Sequence, residues 1–295
     1  MTRYKATITN GDRQRPDEAN SAWRKSVGEG LDKRRLFKQA DRFLECHKKA
    51  NRLVCDNKEN HLVDYLIPHR CEYRICPICS KLKGKKVWVN LLQMFGQLPG
   101  VKGHRLMFLT LTKRKKYEEG ELKGGIRELL KDVRKFINKF YSRKTLCGAV
   151  AILELGKNFN LHVHCIVFGP YIPQDVLSRA WQKITTDSYV MDIRAVRSGR
   201  GGIKGAASYT VKYITKPHSF ESADDYAMFF KEMYRVRAMR TYGIFYNFKV
   251  IKPDTSCPIC GGKFRYLHRV DVRFIKEGML TFAQLRILMQ VGELV

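Results

Sequence analysis

Residues 161–170, LHVHCIVFGP, alternate with a period of two. Side chains on a strand point to opposite faces in turn, so His162 and His164 share one face while Val163 and Cys165 share the other. CGAVAILEL (147–155) is a second strand, and a short connection containing Asn158 joins it to the first. Such neighbours pair as a hairpin, which demands an antiparallel sheet with at least one face covered. Two imidazoles on one face of that sheet are either solvent-facing or core-satisfied side chains, or ligands for a metal.

The rest of the chain supplies the cover. RLMFLTLT (105–112) reads as a strand, and Ile126, Leu129, Leu130, Val133, Phe136, Ile137 and Phe140 recur at helical spacing over about 121–141. Further helices are expected over 173–184, 208–215 and 222–240, and strands at YVMDIRAV (189–196) and IFYNFKVI (244–251). Upstream, 21–51 has a helical, basic pattern, 52–68 reads as a hairpin, and a basic helix over 82–98 ends at Pro99-Gly100. The pattern predicts an α+β fold around a central antiparallel sheet flanked by helices. It divides into a flexible N-terminus (1–20), a basic helical and zinc-binding module (21–100), the sheet domain (101–250) and a C-terminal CxxC segment and tail (251–295).

Charge narrows the partners. Lys and Arg number 56 against 28 Asp and Glu, and the excess runs through the whole chain. That favours a polyanion, nucleic acid or an anionic membrane surface. No run of about 18 apolar residues occurs, and the N-terminus lacks the apolar core of a signal peptide, so no membrane partner and a cytoplasmic nucleic-acid binder are expected. KLKGKK (81–86), KRKK (Lys113, Arg114, Lys115, Lys116) and RSGRGGIKG (197–205, with Arg197, Arg200 and Lys204) are the candidate phosphate contacts.

Nine cysteines without an export signal point to metal ligands or buried fillers rather than disulfides. CEYRICPIC brings Cys71, Cys76 and Cys79 close together, and the Cys76-Pro-Ile-Cys79 knuckle suits tetrahedral Zn2+. Cys55 is the first choice for the fourth ligand, with Cys46 or His69 as alternatives. Cys257 and Cys260 form a second knuckle without an obvious second pair, although His268 lies nearby.

A metal at the paired histidines needs a third ligand. Glu154 supplies it if the hairpin lays 147–155 beside them; two imidazoles and a carboxylate leave positions open for water and phosphate. SYTVKYITK (208–216) then places Tyr209 and Tyr213 on one helical face, with Lys212 and Lys216 close by. A phenolate can attack phosphorus when a nearby cation lowers its pKa or polarises the phosphate.

In order, FLTLT (108–112), Glu154 with LHVHCIVFG, and YTVKYITK resemble the three motifs of the HUH endonucleases, the rolling-circle initiators of plasmids and single-stranded DNA phages and their transposase relatives. The likeness covers about 105–216, in the two-tyrosine form, and the cysteine cluster also looks like the zinc module of some members. It implies an RRM-like sheet carrying the histidines on a central strand. It also implies Mg2+ or Mn2+ held by Glu154, His162 and His164, and nicking of one DNA strand by Tyr213 or Tyr209. The product would be a 5′-phosphotyrosine and a free 3′-OH, with later rejoining. Lys216 best matches the family's lysine. Single-stranded or hairpin origin DNA would be the substrate. No G-x4-GK[ST] loop occurs, so a host helicase and polymerase are expected as partners. An HUH-type transposase and a non-catalytic zinc-dependent DNA-binding regulator are the alternative readings.

Overall fold

A computed structural model describes residues 16–55, 64–115, 117–118, 120–156, 160–196, 202–215, 222–251, 256–257 and 260–271. Its elements in order are α1 (Pro16–Lys33), α2 (Phe37–Leu44), β1 (Lys49–Cys55), β2 (Asp64–Pro68), α3 (Pro77–Gly96), β3 (His104–Thr112), α4 (Leu122–Phe140) and β4 (Gly148–Leu155). They continue with β5 (Leu161–Pro170), α5 (Gln174–Thr185), β6 (Met191–Ala195), α6 (Gly202–Thr215), α7 (Ala223–Met233), β7 (Met239–Gly243) and β8 (Phe264–Asp271).

The core is a five-stranded antiparallel sheet in the order β6-β3-β5-β4-β7. Helices cover both faces, which makes the fold mixed α+β. The two-residue period sorts its side chains. Leu161, Val163, Cys165 and Val167 of β5 join Leu129, Val133 and Phe136 of α4 and Trp181 of α5 in one buried cluster. Ile166 and Phe168, on the opposite face, pack with Leu91 and Phe95 of α3 and Ala206, Ala207 and Ile214 of α6. At about 25 cal/mol per Å2 of apolar surface, burial of such side chains is the main term holding helices to sheet.

The helix carrying the two tyrosines is seated by a glycine. A Cβ at Gly84 of α3 would lie 2.1 Å from Thr215 Cγ2 and 3.1 Å from Val211 Cγ1 of α6. Both neighbours are β-branched and stiff, so the close approach of α3 to α6 requires glycine there.

Several expectations are corrected. The helix expected over 21–51 is two, because Arg35 takes a left-handed turn at φ 59 between α1 and α2. That expected over 222–240 stops at Met233, before Arg235 at φ 62, and the strand that follows is β7. IFYNFKVI is therefore not a strand; residues 244–247 form a turn. The segment before residue 100 does not stand apart: α3 packs along α6, and α1 packs on α7. The tail adds β8, which completes a second, three-stranded sheet in the order β2-β1-β8.

Lys113 is also corrected. It is buried, with Nζ 2.9 Å from Glu128 Oε1 and 3.2 Å from Asp132 Oδ2 of α4, and so cannot meet a DNA backbone. Asp132 is buried too, and removing the ammonium leaves its carboxylate only the exposed Lys135, 3.9 Å away. Lys113→Met is expected to cost about 3 kcal/mol in urea unfolding. Stability equal to wild type would show that this ion pair contributes nothing.

Candidate metal and tyrosine centre

The site is set by strand pairing. β5 lies between β3 and β4, with Thr112 and Glu154 both paired opposite His162, and Thr110 and Ile152 both opposite His164. Residues paired across an antiparallel ladder share a face. Glu154, His162, His164, Thr110 and Thr112 therefore all point toward α6.

Each imidazole is oriented from behind. Thr112 Oγ1 lies 3.0 Å from His162 Nδ1, and Thr110 Oγ1 lies 3.1 Å from His164 Nδ1. His164 Nε2 meets Glu154 Oε2 at 2.5 Å. With Glu154 ionised, His164 donates from Nε2 and its Nδ1 accepts from the Thr110 hydroxyl. A hydroxyl can donate or accept, so Thr110 also suits the other tautomer, in which Nε2 offers a lone pair to a cation.

The tyrosine helix lies directly over this face. The Tyr213 ring stacks on His164, with centroids 3.6 Å apart and planes 12° from parallel. Tyr209 meets Tyr213 edge-on at 4.9 Å and packs on Phe108 at 4.1 Å. Burial pushes the Tyr213 phenol up, with a Tyr209 hydrogen bond and the charges of Tyr209 and Glu154 adding to it. Lys212 is exposed, with Nζ 5.8 Å from the Tyr213 ring centroid.

The donor set at Glu154, His162 and His164 fits a divalent cation in type and in imidazole orientation. It is not drawn into a closed cluster. Among the described residues, the groups with three or more ligand atoms all within 4.8 Å of one another are two sets of cysteines. A cation at the histidines would take the place of the proton between His164 and Glu154.

The first cysteine set is Cys46, Cys71, Cys76 and Cys79, all buried. Sulfur separations of 3.8 Å (Cys46–Cys76), 3.5 Å (Cys46–Cys79) and 3.7 Å (Cys71–Cys79) match the tetrahedron edge. That edge is about 3.8 Å for Zn–S bonds near 2.3 Å. The thiols compete for protons. Hydrogen bonding, from Cys71 first, pulls Cys46 down to about 7, and contact with Cys46 pushes Cys71 and Cys79 up. A divalent ion held by four thiolates removes that competition, so the residues fit Zn2+. Cys46 takes the place expected of Cys55, and His69 lies outside the group.

Arg74, between Cys71 and Cys76, was not legible as a site residue. Its Nη1 donates to the Leu153 carbonyl of β4 at 3.1 Å and its Nη2 to the Tyr213 carbonyl at 2.8 Å. One guanidinium thus joins the cysteine loop, the strand of Glu154 and the helix of Tyr213. The threonines, in contrast, had a signal: Thr110 and Thr112 alternate on β3 as the histidines do on β5.

Of the expected phosphate contacts, Arg114, Lys115 and Lys204 are exposed, while Lys116, Arg197 and Arg200 lie outside the described residues, as does Lys216. No helix of the described residues is long and apolar enough to cross a membrane.

The fold combines a set of cysteines that could hold a metal with a sheet face of imidazoles beneath paired tyrosines, and comparison with known proteins names the family. The Rep_1 family of replication proteins matches residues 66–260, about two thirds of the chain, and the chain belongs to it. It is 29% identical over 177 residues to the "Protein rep" of Lactiplantibacillus plantarum, covering 52% of this chain and 56% of that one. It is 26% identical over 196 residues to the "Protein rep" of Streptococcus pneumoniae, covering 59% and 61%. The chain thus spans about half the length of the curated relatives it matches. No solved structure matches.

Arg74→Met removes two charge-assisted hydrogen bonds and is expected to cost about 2 kcal/mol. Amide exchange should accelerate in the last turn of α6 and stay unchanged in α4. Equal exchange in α6 would show that the guanidinium does not hold the helix.

Proposed function

We propose that this protein initiates rolling-circle replication in the manner of two-tyrosine HUH endonucleases, cutting one strand of origin DNA and later rejoining it. The observation that carries the reading is the stack of Tyr213 on His164, on the face that holds Glu154. It brings three separated segments to one point with the groups that phosphoryl transfer to a phenol requires. Family membership and the similarity to proteins named "Protein rep" support the same reading.

In this proposal Glu154, His162 and His164 hold Mg2+ or Mn2+. When bound, the ion supplies Lewis acidity at the scissile phosphate and at the leaving oxygen. Tyr213 loses its phenolic proton and attacks phosphorus. The new bond is Tyr213 Oη–P, the bond to the 3′ oxygen breaks, and that oxygen takes a proton to become a 3′-OH. Retaining a phosphodiester on the protein lets a 3′-OH attack it later, without ATP. In this reading Tyr209, edge-on to Tyr213, makes the second cut while Tyr213 still carries the DNA end.

Lys212 offers its ammonium to the phosphate, and Lys216 takes the role of the family's lysine. Arg114, Lys115 and Lys204 neutralise flanking phosphates, so binding weakens as salt rises. Zn2+ in the cysteine set of Cys46, Cys71, Cys76 and Cys79 has a structural role. Single-stranded or hairpin origin DNA is the substrate, and a host helicase and polymerase extend the strand.

The test uses the full chain with labelled single-stranded DNA from the region flanking its gene, Mn2+ and a denaturing gel. A covalent protein–DNA adduct is expected. It should fall at least 100-fold in Tyr213→Phe and in His164→Ala, while Tyr209→Phe keeps the first cut and loses termination. Absence of adduct with every divalent metal, or full adduct from the Tyr209→Phe/Tyr213→Phe double variant, would refute the proposal.

A further inference from the structure

The small sheet poses an energetic problem. Of its strand side chains whose burial is described, only Ala50 and Cys55 are buried. On β8, Tyr266 and Leu267 are exposed, at 57% and 44%. The described side chains of these three strands thus contribute little burial to offset the entropy of ordering them. Yet β8 pairs with β1 along its length, from Lys49–Asp271 to Cys55–Phe264, across one irregularity at Arg52/Leu53.

At the end of that ladder, three thiols converge from distant parts of the sequence. Cys55 closes β1, while Cys257 and Cys260 lie in the turn that leads into β8, and their sulfurs all lie within 4.8 Å of one another. Cys55 Sγ and Cys260 Sγ are 3.4 Å apart, much too far for a disulfide and close to the sulfur spacing of a tetrahedral thiolate site. All nine cysteines are thiols.

The backbone at Gly261 and Gly262 folds back onto Cys257. Gly261 N–H donates to the Cys257 carbonyl at 2.7 Å, and Cys257 N–H to the Gly262 carbonyl at 2.8 Å. Gly262 N–H points at Cys260 Sγ from 3.4 Å. Gly261 sits at φ +69, so glycine is what lets the backbone curl around the sulfurs. An amide aimed at sulfur favours the thiolate, the form that binds metal.

We propose that Cys55, Cys257 and Cys260 form a second zinc site, separate from the Cys46, Cys71, Cys76 and Cys79 set, which fastens β8 to β1. Binding releases the thiol protons and leaves a fourth position, which water takes. Cys257 and Cys55 are buried and Cys260 is half-buried, so the ion is enclosed on the protein side. The metal adds stabilisation to a sheet few of whose described side chains are buried. It also explains why Cys55 is not part of the first set, although it precedes Cys71 in sequence as a fourth ligand would.

The test is metal content of the purified full chain by mass spectrometry, with Co2+ exchange read by thiolate–cobalt absorption. Cys55→Ser and Cys260→Ser should each lose one equivalent relative to wild type, whatever the first set holds. Cys76→Ser should keep the equivalent that those variants lose. Hydrogen exchange in β8 should accelerate in Cys260→Ser, which changes a half-buried turn residue and is expected to keep the circular dichroism of wild type even if Cys55→Ser does not fold. Unchanged metal content in Cys260→Ser would overturn the proposal. So would a Cys55–Cys260 disulfide in freshly purified protein, read as a two-hydrogen mass deficit that alkylation under native conditions does not prevent.

Discussion

The site depends on the register of β5 between β3 and β4. A slip of one residue would turn His162 and His164 toward α4 and α5 and bring Val163 to the face now shared with Glu154. What prevents the slip is the other half of the alternation. Leu161, Val163, Cys165 and Val167 are all buried in the larger core, and none could be exchanged for an imidazole there without stranding a polar group. Packing on one face of the strand thus fixes the chemistry on the other.

A second constraint links this face to the cysteine set. Cys76 caps α3, Pro77 begins it, and Cys79 lies in its first turn. Farther along, Gly84 lets α3 lie close to α6, and Arg74 ties the cysteine loop to the carbonyls of Leu153 and Tyr213. The position of Tyr213 over His164 is therefore held from both sides: by the sheet below and by a loop whose own shape depends on four thiols. A metal in that loop would act on the tyrosine through packing and hydrogen bonds rather than through contact. Arg24 adds a positive charge near the sulfurs, with Nη1 3.9 Å from Cys76 Sγ, which would offset the excess negative charge of four thiolates if they held one divalent ion.

Much of this was legible in the sequence because it is local. Alternation placed Glu154, His162 and His164 on strands, and the spacing of four placed Tyr209 and Tyr213 on one helical face. What the sequence left open is non-local. Cys46 and Cys55 both precede Cys71, and nothing in their spacing says which joins the first set; the fold decides by ending α2 beside Cys46 and carrying Cys55 to the far end of β1. Lys113 reads as one charge in a basic run until α4 brings Asp132 against it. The helix expected over 222–240 has helical spacing beyond Met233, but the pairing of Met239–Gly243 with β4 overrides local propensity. Arg74 gave no signal at all, since its two acceptors are backbone carbonyls in distant segments.

The central claim is that this sheet face binds a catalytic cation beneath Tyr213. Anomalous diffraction from crystals soaked in Mn2+ tests it most directly. The account predicts a manganese peak within bonding distance of His162 Nε2, His164 Nε2 and a Glu154 carboxylate oxygen, with the His164–Glu154 hydrogen bond gone and Thr110 still on His164 Nδ1. A map with no peak there, and with His164 still bonded to Glu154 at saturating Mn2+, would contradict it.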